Sequence, residues 1–148
     1  MKVLIQRVQK ASVSIDNKVN GAINKGYVIF LGVGEGDTET DADYLSEKTA
    51  NLRIFSNSDG KFDHSLLDIK GEALVISQFT LYGNTRKGRR PDFTEAAKPA
   101  IADKLYKYFN DSLRKKNIPV KTGIFAAEMV VNIINDGPVT IMLDSSEQ

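Results

Sequence analysis

This sequence has no cysteine and no tryptophan, and histidine occurs once. Without cysteine there is no disulfide framework, no thiolate metal site and no thiol nucleophile, and the composition suits a reducing compartment. The lone histidine, His64, is the only imidazole a Ser-His-Asp triad could use, and a zinc site would need several more ligands. It sits in the polar stretch Lys61-Phe62-Asp63-His64-Ser65, where an exposed loop side chain is the expectation. An excess of charge is missing too: the net charge is +1, so contact with nucleic acid would have to come from a local patch. Long apolar runs are absent. The opening run breaks at Gln6 and Arg7, so neither a secretory leader nor a membrane span is expected, and the cytoplasm is the expected location. Gly32, Gly34 and Gly36 are spaced like a phosphate loop but lack the Lys-Ser/Thr that should follow. No metal and no cofactor is expected.

The chain has 148 residues, of which 41% are hydrophobic, enough for one domain over 1–148 with a single sizeable core. Residues 2–33 alternate like half-buried strands, with a hairpin turn at Asp16-Asn17-Lys18 and a third strand over 27–33. Thr40, with Asp43 three positions on, reads as the cap of a helix that buries Leu45, Thr49 and Leu52. A second hairpin turns at Asn57-Ser58-Asp59-Gly60. Residues 72–79 carry Ala73, Leu74, Val75 and Ile76 without alternation, as a strand covered on both faces does. A second helix begins near Pro99, with Ile101, Leu105, Tyr108, Phe109 and Leu113 as its apolar face. Residues 128–143 read as two strands joined at Asn135-Asp136-Gly137-Pro138. The fold class is therefore α+β, an antiparallel, barrel-like sheet with two main helices.

Three segments exceed what scaffolding needs. Ser77-Gln78-Phe79-Thr80-Leu81 ends a buried strand in hydroxyl and amide groups, which either satisfy the local backbone or face a ligand. Residues 84–91 carry Arg86, Lys87, Arg89 and Arg90, a solvated charge run or a grip on phosphates. Asn135-Asp136-Gly137-Pro138-Val139-Thr140 is either a tight turn or a functional backbone segment. Arg7 shares the strand face of Val3 and Ile5, so it needs an acceptor such as a backbone carbonyl or a route to solvent.

These segments, with Arg7-Val8, Ala11-Ser12-Val13, Lys87-Gly88, Arg90-Pro91, Phe93 and Thr122-Gly123-Ile124-Phe125, resemble the D-aminoacyl-tRNA deacylase family in the family's order along the whole chain. The Ser-Gln-Phe-Thr form, rather than the Pro-Gln-Ala-Thr form of the animal L-alanyl-type deacylase, resembles the D-specific branch.

The resemblance implies a homodimer acting on aminoacylated tRNA, with active sites at the interface. Gly137-Pro138 of one chain, joined by a cis bond, would stand beside Ser77, Gln78, Phe79 and Thr80 of the other and present its carbonyls to the substrate's amino group. Arg7 and Asn135 would support that motif. Phe79 and Phe125 would hold the terminal adenosine, and Arg86, Lys87, Arg89 and Arg90 would meet phosphates. Ala126 departs from the glycine common in the family at that place. With no base available for Thr80, Ser77 and Thr80 are assigned to positioning and backbone N–H groups near Phe79 to the oxyanion.

Overall fold

A computed structural model describes residues 1–147. The alternation near the start forms β1 (Lys2–Ile15), β2 (Lys18–Ile23) and β3 (Gly26–Gly32). Both hairpin residues Asp16 and Asn17 take positive φ, a conformation that Asn and Asp tolerate better than most side chains. Helix α1 (Glu39–Asn51) follows, then the short hairpin β4 (Phe55–Ser56) and β5 (Phe62–His64), turning at residues 57–60 as expected. Next come β6 (Glu72–Ser77), a 3-10 turn (Phe79–Tyr82), helix α2 (Pro99–Lys115), β7 (Val120–Thr122) and β8 (Val130–Asp144).

The large sheet runs β2-β1-β3-β6-β7, with β8 also on β1. It nearly closes into a barrel, because the Asn20 carboxamide on β2 donates to the Thr122 carbonyl on β7 at 2.8 Å. The antiparallel expectation holds only around β1. β3 pairs with β6, and β6 with β7, in parallel. The physical reason is connection length: residues 33–71 and 78–119 each include a helix, and a crossover of that kind returns the chain in the same direction.

β6 is covered on both faces, as its unbroken apolar run requires. Ala73 and Val75 join Ile5, Ile29, Leu45, Phe109 and Leu113 beneath the helices, while Leu74 and Ile76 face Val8, Val13 and Val28 on the other side. Each fully buried Val, Leu, Ile or Phe among them contributes about 1.5–3 kcal/mol.

Three further expectations are corrected. The cap of α1 is Thr38, whose N–H and hydroxyl both donate to the Asp41 carboxylate, two residues before the expected pair. On α2 the buried stripe is Ala102, Leu105, Tyr106, Phe109 and Leu113, whereas Ile101 is 46% exposed and Tyr108 half-buried, because the 3.6-residue period centres one position later. Residues 135–138 do not join two strands: Gln6 pairs with Thr140 and Val8 with Asn135, so β8 stays on β1 throughout. Residues 136–139 stand opposite Arg7 alone, as a bulge rather than a reversal.

Candidate active site

The parallel ladder of β3 and β6 ends at Leu31 opposite Ser77, and the Gln78 N–H extends it to the Leu31 carbonyl at 2.8 Å. The chain then tightens into the 3-10 turn, whose first N–H groups, at Phe79 and Thr80, have no intrahelical acceptor and no other partner among the described residues. The Gln78 side-chain amide donates to the Thr80 hydroxyl, which orients both. Phe79 is 55% exposed, with Phe93 edge-on at 5.0 Å, so its free ring face is available for stacking.

Ser77, Gln78 and Phe79 form one wall of a cavity of about 660 Å³. The start of α2 and the 123–129 loop supply the others, through Ala102, Phe125 and Ala126. Thr80 lies outside this lining and is exposed. Lys98 is the only titratable residue on the walls among the described residues. The phenols nearest the site, Tyr82 and Tyr106, are pushed upward chiefly by burial, Tyr82 further by the Asp37 carboxylate, so both stay protonated at neutral pH. His64 is exposed on β5, on a strand rather than in a loop, and does not line the cavity. The cavity thus offers shape, stacking surfaces and backbone donors, and among the described residues no histidine or carboxylate lines it.

Phe125 packs against Tyr106, with ring centroids 6.1 Å apart. Ala126 takes φ +62°, the left-handed conformation in which a glycine would avoid the Cβ penalty. Phe93 and Lys98 line this cavity without a role that the sequence alone assigns them. Phe93 was part of the family pattern, but an isolated lysine before a helix carries no signal that could have singled out Lys98.

The loop that follows is pinched at its neck by paired backbone bonds between Asn84 and Asp92, at 2.8 and 2.9 Å. Arg86, Lys87, Arg89 and Arg90 project from it, exposed, and the ion pairs among the described residues involve none of them. Its neck abuts Phe93, so the cationic loop hangs beside the cavity.

The bulge of β8 is built from side chains holding main chain. Arg7 is 8% exposed, and its guanidinium donates to the Ile54 carbonyl at 2.6 Å and to the Asp136 carbonyl at 3.3 Å. The Asp136 carboxylate lies 3.1 Å from Arg7 Nε. The Asn135 carboxamide donates to the carbonyls of Arg7 at 2.8 Å and Val139 at 3.0 Å, bridging the neck of the bulge. Gly137 has φ +119°, and the Gly137-Pro138 bond is cis. Both residues are exposed.

A single chain does not bring this bulge to Ser77 and Thr80. Ser77 is level with Leu31 and Val3, while the bulge is level with Arg7, so the two are offset by four residues, roughly 13 Å along the strands. They also lie on opposite sides of β1 in the sheet order.

A family model described as D-Tyr-tRNA(Tyr) deacylase matches residues 4–144 of this sequence. The chain belongs to that family. A D-aminoacyl-tRNA deacylase of Bacillus pumilus is 55% identical over 147 residues, covering 99% of this chain and 100% of the relative. One from Roseiflexus castenholzii is 57% identical over 146 residues, covering 99% and 93%. Among solved structures, a c-Myc DNA unwinding element binding protein superposes with a TM-score of 0.91 at 39% identity, covering 97% of this chain and 98% of that one. A probable eukaryotic D-amino acid tRNA deacylase shares the fold, with a TM-score of 0.80 at 17% identity over 96% and 97% of the two chains. As a family member the chain is a deacylase, a hydrolase acting on the ester bond of aminoacyl-tRNA.

Proposed function

We propose that this deacylase hydrolyses the ester joining a D-amino acid to the 3' end of tRNA, and does so as a homodimer in which Gly137-Pro138 of one protomer completes the cavity of the other. The observation that carries the reading is the division of parts. The cavity beside Ser77, Gln78 and Phe79 has walls and donors, while the exposed main-chain bulge sits on a different edge of the same chain.

β8 is an edge strand of 15 residues that among the described residues pairs only with β1, and Val130, Ile134 and Met142 stand 64%, 45% and 49% exposed along it. A long apolar edge of this kind favours pairing with another chain, which is the support for a dimer through this strand.

In the assembled site the terminal adenosine would stack on Phe79 and Phe125, while Arg86, Lys87, Arg89 and Arg90 meet the phosphates. Water adds to the ester carbonyl carbon with help from the neighbouring ribose hydroxyl, the oxyanion takes the N–H groups of Phe79 and Thr80, and the ribose 3' oxygen departs with a proton. Ser77, Gln78 and Thr80 position these groups. Handedness is judged by the bulge: rigid main chain held by Arg7 and Asn135 meets the α-carbon and leaves no volume for an L side chain. Glycine, lacking a side chain to exclude, is hydrolysed to some extent. No described helix is long and apolar enough to cross a membrane, and the substrate belongs to the cytoplasm.

The test compares hydrolysis of D-Tyr-tRNA and L-Tyr-tRNA by purified protein, with sedimentation run on the same sample. Release of D-tyrosine alone from a dimeric species is expected. Equal hydrolysis of both esters, tRNA binding without hydrolysis, or an active monomer would each overturn part of the reading.

A further inference from the structure

Pairing between β6 and β7 stops at Val75 opposite Thr122, and the chain beyond β7 leaves for the loop that carries Phe125. The strand that must present Ser77 and Phe79 therefore loses its neighbour on that side two residues before the site begins. Tyr106, 5% exposed on α2, stands at this place. Its hydroxyl donates to the Val75 carbonyl at 2.8 Å, with the Asn110 and Thr122 side chains close beside it. Its ring meets Phe125 at 6.1 Å and 47°. One buried side chain thus joins Phe125 on one wall to Val75, the residue just before the Ile76–Phe79 wall, and the turns of α2 before it, through Pro99 and Ala102, form the third wall.

We propose that Tyr106 is a positioning residue for the deacylation, its hydroxyl fixing the end of β6 and its ring fixing Phe125. The inference rests on the deacylase reading above. Its two halves separate chemically. The hydroxyl sets where the Phe79 and Thr80 N–H groups point, and hence the stabilisation of the oxyanion. The ring sets the adenosine platform, and hence substrate affinity. A displacement near 1 Å at the donors costs on the order of a hundredfold in rate.

Tyr106→Phe keeps the ring and removes the hydroxyl. Its kcat on D-Tyr-tRNA should fall roughly ten- to a hundredfold with KM little changed, whereas Tyr106→Leu should raise KM as well. In Tyr106→Phe the amide hydrogen of Gln78, bonded to the Leu31 carbonyl, should also exchange faster than in the parent, because the strand end opens more readily. A purely structural tyrosine gives a lower melting temperature with kcat, KM and local exchange unchanged, and that result overturns the proposal. If the parent protein is inactive on D-Tyr-tRNA, the deacylase reading fails instead and this inference falls with it. An active parent with an unaffected Tyr106→Phe variant removes the inference alone.

Discussion

Replacing Gly137 with alanine tests whether main chain, rather than a side chain, carries the selectivity. At φ +119° an L side chain is strained, at about 1–3 kcal/mol. A Cβ there would lie 2.8 Å from Val139 Cγ2 and 3.0 Å from both Arg7 Nη2 and the Val139 nitrogen, so the bulge or the arginine must shift. Overpacking of this order adds about 1–3 kcal/mol. The combined loss, about 2–6 kcal/mol, lies below most of the stability range of an ordinary domain, about 5–15 kcal/mol. Gly137→Ala is therefore expected to fold, with a lower urea midpoint and a displaced bulge. Displacement by a sizeable fraction of an ångström should cost on the order of a hundredfold in single-turnover hydrolysis of D-Tyr-tRNA. Thr80→Val provides the comparison. Thr80 is exposed and its hydroxyl meets only the Gln78 amide, so its loss should cost about 1 kcal/mol or less, under about tenfold in rate. Equal losses in the two variants, or a Gly137→Ala protein within about threefold of the parent, would refute the backbone argument.

Arg89→Ala and Arg90→Ala should each weaken tRNA binding and reduce the slope of log affinity against log salt by about 1, measured by filter binding across a salt series. An unchanged slope would place these residues off the phosphates. Ala126→Gly relieves the left-handed φ of +62° at some cost in unfolded-chain entropy, so a net gain of up to about 1 kcal/mol in the urea midpoint is expected; a loss would show that the methyl makes a packing contact worth more than the strain. Stability should also fall in acid. Burial raises the Asp41 carboxyl, but donation from the Ser145 hydroxyl, the Thr38 N–H and the Thr38 hydroxyl outweighs it and holds the group below its ordinary value; Asp68 is held down chiefly by the Ser65 N–H. Depressed carboxyls stabilise the fold fully above the unfolded pKa near 4 and lose that contribution as pH falls through the folded value. Urea midpoints should be flat from neutrality to about pH 5 and drop below about 4, with a shallower acid limb in Asp41→Asn; identical limbs would remove Asp41 from the account.

Much of the local structure was legible in residue order. The turn at Asp16 and Asn17, the hairpin at residues 57–60, the helix starting at Pro99 and the doubly covered β6 follow from turn chemistry, capping and apolar periodicity, which act within a few residues. The cavity was legible in part. Ser77, Gln78 and Phe79, which the sequence left either to bond the local backbone or to face a ligand, line one wall. Lys98 and Tyr106 were invisible, since each looks like any residue before or within an amphipathic helix.

By itself the sequence determined the two helices, the hairpins, the family pattern and the absence of a plausible side-chain triad. The tertiary structure alone decided that β3, β6 and β7 run in parallel, that β8 stays one strand across its bulge, and that Gly137 lies away from Ser77 within the chain. Periodicity and turn chemistry are properties of neighbours in sequence. Strand direction and register are set by partners as far apart as Arg7 and Asp136, whose contacts exist only once the chain has closed on itself.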